Sequence, residues 1–550
     1  MIPTGQAGAR GRDVSRASGG LTRLRIWASR LFLALSAVAL LFLVLIALNL
    51  LQWTPLHLYR FRETSLALYG FLALAVLAAP KPRDVLEDWL ARIRTVLGSR
   101  AFAPAFAAIL AILFIAATLT RHWAFNTYSH DFSMFDEVLY QTHHGRILHS
   151  PILGRSFLSE HFSPLLLLLV PLHAAMPSPY LLLVLHALAL AAASLLLRRI
   201  LLDNGSPLVL ANLVFAVWPL HPIATSSLQY PFHIEILLPA LVFLLFLAYN
   251  RRNPIWYWPA LLAVLAVKED VGFYIAGFGV WAALADRRWK RGAGTVLVGL
   301  AWSLLAMKVL IPHFWPEDEI YPFLSRWEHW GSSPLGILAG YLSRPLELFG
   351  AMFNEDVIQL MAGMLFLPLL SGWAWFMVLP PWIINTTSNL PVQARLGLYY
   401  GLPLLAFSTV AAVIALRNGR LRKFLQGRLG ICLAALLVVL NVSSLTYPRI
   451  DPNRPRFLEG LDQIPAEFPV QSMSCFYPVL GYEREKSLIR TEADSLYAPF
   501  LLLRIDSRTW PLSSAQAARL LRRAQEECGY TLVFEAGASK ILRRPEESTP

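Results

Sequence analysis

Cysteine is scarce. Cys432, Cys475 and Cys528 are the only three in 550 residues, and no two share a paired spacing. That excludes a disulfide framework and a cysteine metal knuckle. Charge is scarce as well, at 15% of residues, so the chain lacks the polar surface of a water-soluble protein of this length. A glycine-rich phosphate loop is missing, which removes nucleotide sites of the P-loop and dinucleotide kinds. A secretory cleavage pattern is also missing: Arg10, Arg12, Arg16, Arg23, Arg25 and Arg30 precede a long apolar run that reads as a retained span.

Hydrophobic residues make up 56% of the chain, and the mean hydropathy is +0.51. Such a composition belongs to an α-helical polytopic membrane protein. Apolar runs at 31–51, 66–80, 101–120, 179–197, 208–228, 233–249, 255–267, 271–285, 293–311, 351–371, 373–388, 396–416 and 429–446 give about thirteen transmembrane helices by length. The net charge of +13 suggests nucleic acid at first sight, but the cations stand in short clusters between apolar runs, as orientation determinants do. With the N-terminus cytoplasmic, clusters at 81–100, 198–199, 251–252, 287–291 and 417–428 fall on one side. This requires that 162–176, short and proline-flanked, form a re-entrant or interfacial helix. Residues 81–100 read as an amphipathic helix on the cytoplasmic surface.

Three regions follow: a basic cytoplasmic segment 1–30, a multispanning domain 31–446, and an extracytoplasmic tail 447–550. The tail mixes a strand-like "TLVFEAG" with an amphipathic "SAQAARLLRRAQEE", so a small soluble α/β domain on the outer face is expected. Loops 121–161 and 312–350 lie on that same face.

The outer face collects the candidate residues. In "SHDFSMFDEVLYQ", Asp131, Asp136 and Glu137 directly follow a span, in a loop that also holds His130, His143, His144, His149 and His161. An acidic, histidine-rich loop suits proton transfer or cation binding, although solvated acids in a connector are equally ordinary. The spacing matches no metal motif. His233 and Glu235 stand where a span begins, a costly position for ionisable groups. Lys268, Glu269 and Asp270 interrupt an apolar stretch from 255 to 285, as either a polar turn or a phosphate grip. Arg326 lies in aromatic-rich sequence, while Arg395, Tyr399 and Tyr400 belong to a polar break that would suit a sugar- or phosphate-binding lining or a simple connector.

The successive motifs "DFSMFDEVLYQ", "LSEHFSPLLLLLVPLHAAMPSP", "FHIEILLPAL" and "VKEDVGFYIAGFGVW" resemble those of the domain of unknown function 2079 (DUF2079) family of bacterial and archaeal membrane proteins. That family reads Asp-Leu-Gly, an aromatic-Asp-Gln pair, His-Phe-Ser-Pro, Phe-His-Pro-Glu and Lys-Glu-Asp in this order, and the likeness runs from about 120 to the C-terminus. This chain has Phe132-Ser133 for Leu-Gly, Glu137 for Gln, Ile234 for Pro, and Tyr399-Tyr400 where His-Tyr is usual. The family is similar in layout to C-type glycosyltransferases, multispanning enzymes that use polyprenyl-phosphate sugars and carry an essential carboxylate in the first large outer loop.

The resemblance implies transfer of a sugar from a polyprenyl-phosphate donor to a cell-envelope glycan, lipid or protein, in the bacterial inner membrane. Asp131 or Asp136 would serve as general base. Lys268, Arg326 or Arg395, or a divalent cation, would neutralise the departing phosphate. Glu137, His161, His233, Glu235, Glu269, Asp270, Tyr399 and Tyr400 complete the expected substrate-binding set. A transporter or lipid flippase, or a non-catalytic assembly protein, is the alternative; a transporter predicts charges in mid-span, and here they gather at one face. No nucleic-acid partner is expected.

Overall fold

The computed structural model describes residues 7–47, 61–315, 321–442 and 450–545. The ends of the apolar runs 31–51 and 429–446, residues 316–320 within the stretch 312–350, and both extremes of the chain lie outside them. Helices form where apolar runs are unbroken. Phe102–Trp123 has 22 residues, about 33 Å at 1.5 Å per residue, which matches a hydrocarbon core of about 30 Å.

Among the described residues four helices are long and apolar enough to cross: Thr22–Phe42, Phe102–Trp123, Pro179–Asp203 and Trp289–Phe314. The count rises to six if two bent pairs, Leu208–Leu220 with Pro222–Leu228 and Leu402–Ala415 with Gly419–Gln426, are each one span. Seven more apolar helices have 10–17 residues. Several of the thirteen runs are therefore helices shorter than a bilayer core: 255–267 is Pro254–Leu265 and 271–285 is Val271–Leu284, on either side of Lys268-Glu269-Asp270. Leu166–Ala175 contains Pro171 and is about 15 Å long, half a bilayer core. Pro82–Leu97 is the helix expected at 81–100.

Helices Val271–Leu284 and Trp289–Leu305 pack closely against each other. A Cβ on Gly272 would meet the Gly299 carbonyl oxygen at 2.1 Å, and one on Gly279 would meet that of Gly292 at 2.7 Å. Small residues permit this backbone approach, which supplies packing where lipid offers no hydrophobic drive. Leu402–Ala415 is almost wholly buried in the same core.

Outside the helical bundle, a two-residue ladder pairs β1 (His149–Ser150) with β2 (Arg155–Ser156). The tail holds a five-stranded sheet of β3 (Val470–Met473), β4 (Lys486–Ile489), β5 (Phe500–Arg504), β6 (Thr531–Ala536) and β7 (Ser539–Arg543). Its order is β4-β3-β5-β7-β6, with β3 parallel to β4 and β5, and β7 antiparallel to β5 and β6. Helix Ser514–Glu526 starts at a Ser513/Gln516 capping box and buries Ala517, Leu520 and Ala524 on one face.

The bundle reaches into the core of this sheet unit. Phe125, at φ +54°, stacks edge-on against Phe457 and Phe476. Arg454 donates to the His122 carbonyl at 3.0 Å, and Arg508 to that of Ala124 at 2.8 Å. The tail is thereby fastened to the end of the helix that leads into the Asp131 loop.

Candidate active site

Past Phe125 the chain is tied at Ser129, whose amide and hydroxyl both reach the Ser474 hydroxyl, at 3.0 and 2.8 Å. Two residues later Asp131 has φ +59° and ψ −73°, close to the γ-turn conformation that L-residues rarely adopt. Holding a non-glycine residue there costs on the order of 1–3 kcal/mol. The distortion separates Asp131 from the helix Met134–His143 and turns its carboxylate towards the bundle.

There the Tyr230 hydroxyl donates to Asp131 Oδ2 at 2.6 Å, and His233 Nε2 stands 3.9 Å from Oδ1. The other face of the imidazole edge, Nδ1, contacts Glu235. Lys268 Nζ donates to Glu235 Oε1 at 2.7 Å. The His233 ring stacks on Tyr399 at 3.5 Å between centroids, and Lys268 Nζ lies 5.9 Å from the centres of both Tyr399 and Tyr400. Arg326 reaches the same wall, 5.9 Å from the Tyr400 centre, and donates to Gln393 at 3.1 Å. Asp131, His233, Glu235, Lys268, Tyr399, Tyr400 and Arg326 thus form one continuous constellation.

Glu269 serves the walls. It accepts from the Phe162 amide at 3.0 Å and the Tyr321 hydroxyl at 2.8 Å, and lies 2.9 Å from His161 Nδ1. His161 stacks on Phe323 at 4.7 Å, and Phe323 lies 4.5 Å below the Arg326 guanidinium. Asp270 accepts from Tyr274 at 2.6 Å. The three consecutive residues of the "KED" turn therefore share none of these partners.

Asp136 and Glu137 face another way. Asp136 accepts from Tyr482 at 2.9 Å and lies 3.2 Å from His173, while Glu137 pairs with Lys486. Both join the helix Met134–His143 to the tail. Burial pushes the Glu137 carboxyl above its usual range, with Lys486 pulling it back only in part. Burial, with Asp136 beside it, also raises the Tyr482 hydroxyl, which keeps its proton as a donor. Arg395 is exposed, with Asp356 as an electrostatic neighbour, and stands apart from the constellation.

Tyr230, Tyr321, His173, Tyr482 and Lys486 were not singled out in the sequence, whereas Gln393 belongs to the polar break that carries Arg395, Tyr399 and Tyr400. Tyr230 sits in the "QYPFHIE" turn beside His233, so proximity alone could have flagged it. Lys486 and Tyr482 lie more than 300 residues from their partners and carry no local signal. Among the described residues no three His, Cys, Asp or Glu side chains gather as a metal ion would need.

A family model described as "Predicted membrane protein (DUF2079)" matches residues 121–463, more than half of the chain. The chain belongs to this family. No curated protein matches it. Two solved structures of ArnT from Cupriavidus metallidurans resemble this DUF2079 chain. One, bound to undecaprenyl phosphate, is 12% identical with a TM-score of 0.46, covering 82% of this chain and 100% of that one. The other, in the apo state, is also 12% identical with a TM-score of 0.42, covering 79% and 98%.

Proposed function

We propose that this DUF2079 protein is an integral-membrane glycosyltransferase that moves a sugar from a polyprenyl-phosphate donor to a hydroxyl of a cell-envelope glycan, lipid or protein. The observation that carries the reading is the buried Asp131 carboxylate, held in a strained turn within one constellation with His233, Glu235, Lys268 and Arg326. Strain of this kind is retained where the surroundings over-determine it, and it clusters at functional sites.

In the proposed reaction the acceptor oxygen attacks the anomeric carbon as Asp131 Oδ1 takes the hydroxyl proton. The new C–O bond forms as the bond from the anomeric carbon to the phosphate oxygen breaks, and the electron pair leaves with the polyprenyl phosphate. Oδ1 suits this role because Tyr230 occupies Oδ2 and fixes the carboxylate orientation. Lys268 and Arg326 supply positive charge for the departing phosphate, and Tyr399 and Tyr400 give flat apolar faces for the sugar. Asp136 supports the loop from the tail side. The constellation and the tail would face the outside of the inner membrane and the N-terminus the cytoplasm, which agrees with cations gathered at the opposite helix ends.

The test is turnover by the purified full-length protein, in lipid, with a panel of polyprenyl-phosphate sugars and a mixed envelope acceptor. Release of polyprenyl phosphate from at least one donor is expected. Folded protein that releases none from any donor in the panel would refute the assignment.

A further inference from the structure

Helices Leu238–Asn250 and Val271–Leu284 both begin beside the constellation and both finish about 20 Å away, at the far end of the bundle. There Arg252, Arg287, Lys290 and Arg291 line a concavity of about 470 Å³. The one carboxylate in its wall, Asp286, already pairs with Arg288 at 2.9 Å and accepts from Tyr249 at 2.7 Å. No salt bridge among the described residues reaches the four other cations. Arg291 lies 5.1 Å from the centre of the Tyr257 ring, and Lys290 5.5 Å from that of Trp289.

Cations elsewhere at this end are differently employed. Arg251 pairs with Asp203, Arg417 donates to Asn204 and Asn250, and Arg422 donates to the Gly205 carbonyl. Orientation of the chain needs cations on this side but no concavity that leaves four of them facing one space. Arg252 and Arg287 also hold φ of +56° and +54°, the left-handed conformation that glycine or asparagine usually supplies after a helix.

The rim indicates what fills the space. Trp289 lines the concavity and is 65% exposed, and Ile255, Trp256 and Leu284, 61–76% exposed, stand within four residues of its cations in the chain. Tryptophan at a membrane boundary sits at headgroup level. We propose that this concavity binds the phosphate of an anionic phospholipid, with Arg252, Arg287, Lys290 and Arg291 around the headgroup and the acyl chains along the Trp256 and Trp289 rim. Basic pockets between helices on the cytoplasmic side are suited to such headgroups. The proposal stands independently of any role for Asp131.

Native mass spectrometry of the full-length protein, incubated with phosphatidylglycerol or phosphatidylcholine, measures retained lipid directly. Wild type should retain phosphatidylglycerol preferentially. Arg252→Gln with Arg287→Gln should bind it about 25-fold more weakly, at about fivefold per charge. The paired Arg→Lys variant should keep most of the binding. Arg420→Gln with Lys423→Gln removes two exposed charges outside the concavity and should leave retention unchanged, with thermal unfolding confirming that all variants fold. Equal loss in that control, or no loss in Arg252→Gln/Arg287→Gln, would overturn the proposal. Displacement of the lipid by millimolar inorganic phosphate would overturn it too, in favour of a soluble anion.

Discussion

Lys268 and Glu235 are 5% and 4% exposed, so neither charge is solvated by bulk water. Each is tolerable because the other is present: removing one partner of a buried pair costs about 3–5 kcal/mol, whereas replacing both by apolar groups is often close to neutral. Lys268→Met alone should therefore destabilise the protein by about that amount, and Lys268→Met with Glu235→Leu by clearly less than the sum of the two single changes. Thermal and denaturant unfolding in detergent, run as a double-mutant cycle, checks this; strictly additive losses would show that the pair is not coupled. The sequence marks both residues, because charges in apolar stretches stand out. It does not mark the pairing. Lys268 stands next to Glu269 and Asp270 in the chain, yet its partner is 33 residues back, since adjacent side chains on a turn diverge into different walls. Asp131 is legible as a loop acid beside a span, but its left-handed φ in an ordinary "SHDFS" stretch is not.

Among the elements, the hairpin of Val271–Leu284 and Trp289–Leu305 depends on glycine. Gly272→Ala would drive a methyl group against the Gly299 backbone, where no side chain can give way. Overpacking of this kind costs about 1–3 kcal/mol, to be read as a lower unfolding midpoint; an unchanged midpoint would mean that the two helices are not packed so closely. Apolar runs locate these helices well. Their lengths are less legible, because proline, glycine and buried polar breaks cut the runs in ways that hydropathy averages over. The tail is more transparent: "TLVFEAG" forms β6, and "SAQAARLLRRAQEE" the capped helix, since both carry their own periodicity. Within that unit burial works to raise Asp506, but hydrogen bonds from Arg504 and the Arg508 amide bring it below its ordinary value. A carboxyl depressed in the folded state stabilises above its unfolded pKa, near 4, and that contribution fades as pH falls through the folded value. The unfolding temperature of the full chain should therefore fall on acidification, and Asp506→Asn should start lower and fall less. An identical pH slope in wild type and variant would count against the Arg504–Asp506 contribution.

At the scale of the whole molecule, one strained turn divides the acids of the segment 121–161 between two tasks. Asp131 turns into the bundle and joins His233, Glu235 and Lys268, while Asp136 and Glu137 grip Tyr482 and Lys486 of the tail. The account assigns proton transfer to the first and support to the others. The direct test is polyprenyl-phosphate release by purified wild type, Asp131→Asn and Asp136→Asn, each verified as folded. Asn keeps the shape of the side chain and removes its basicity, so Asp131→Asn should lose about 10²–10⁴ in turnover, and Asp136→Asn should stay within a few-fold of wild type. Near-normal turnover in Asp131→Asn, with or without loss in Asp136→Asn, would contradict the account.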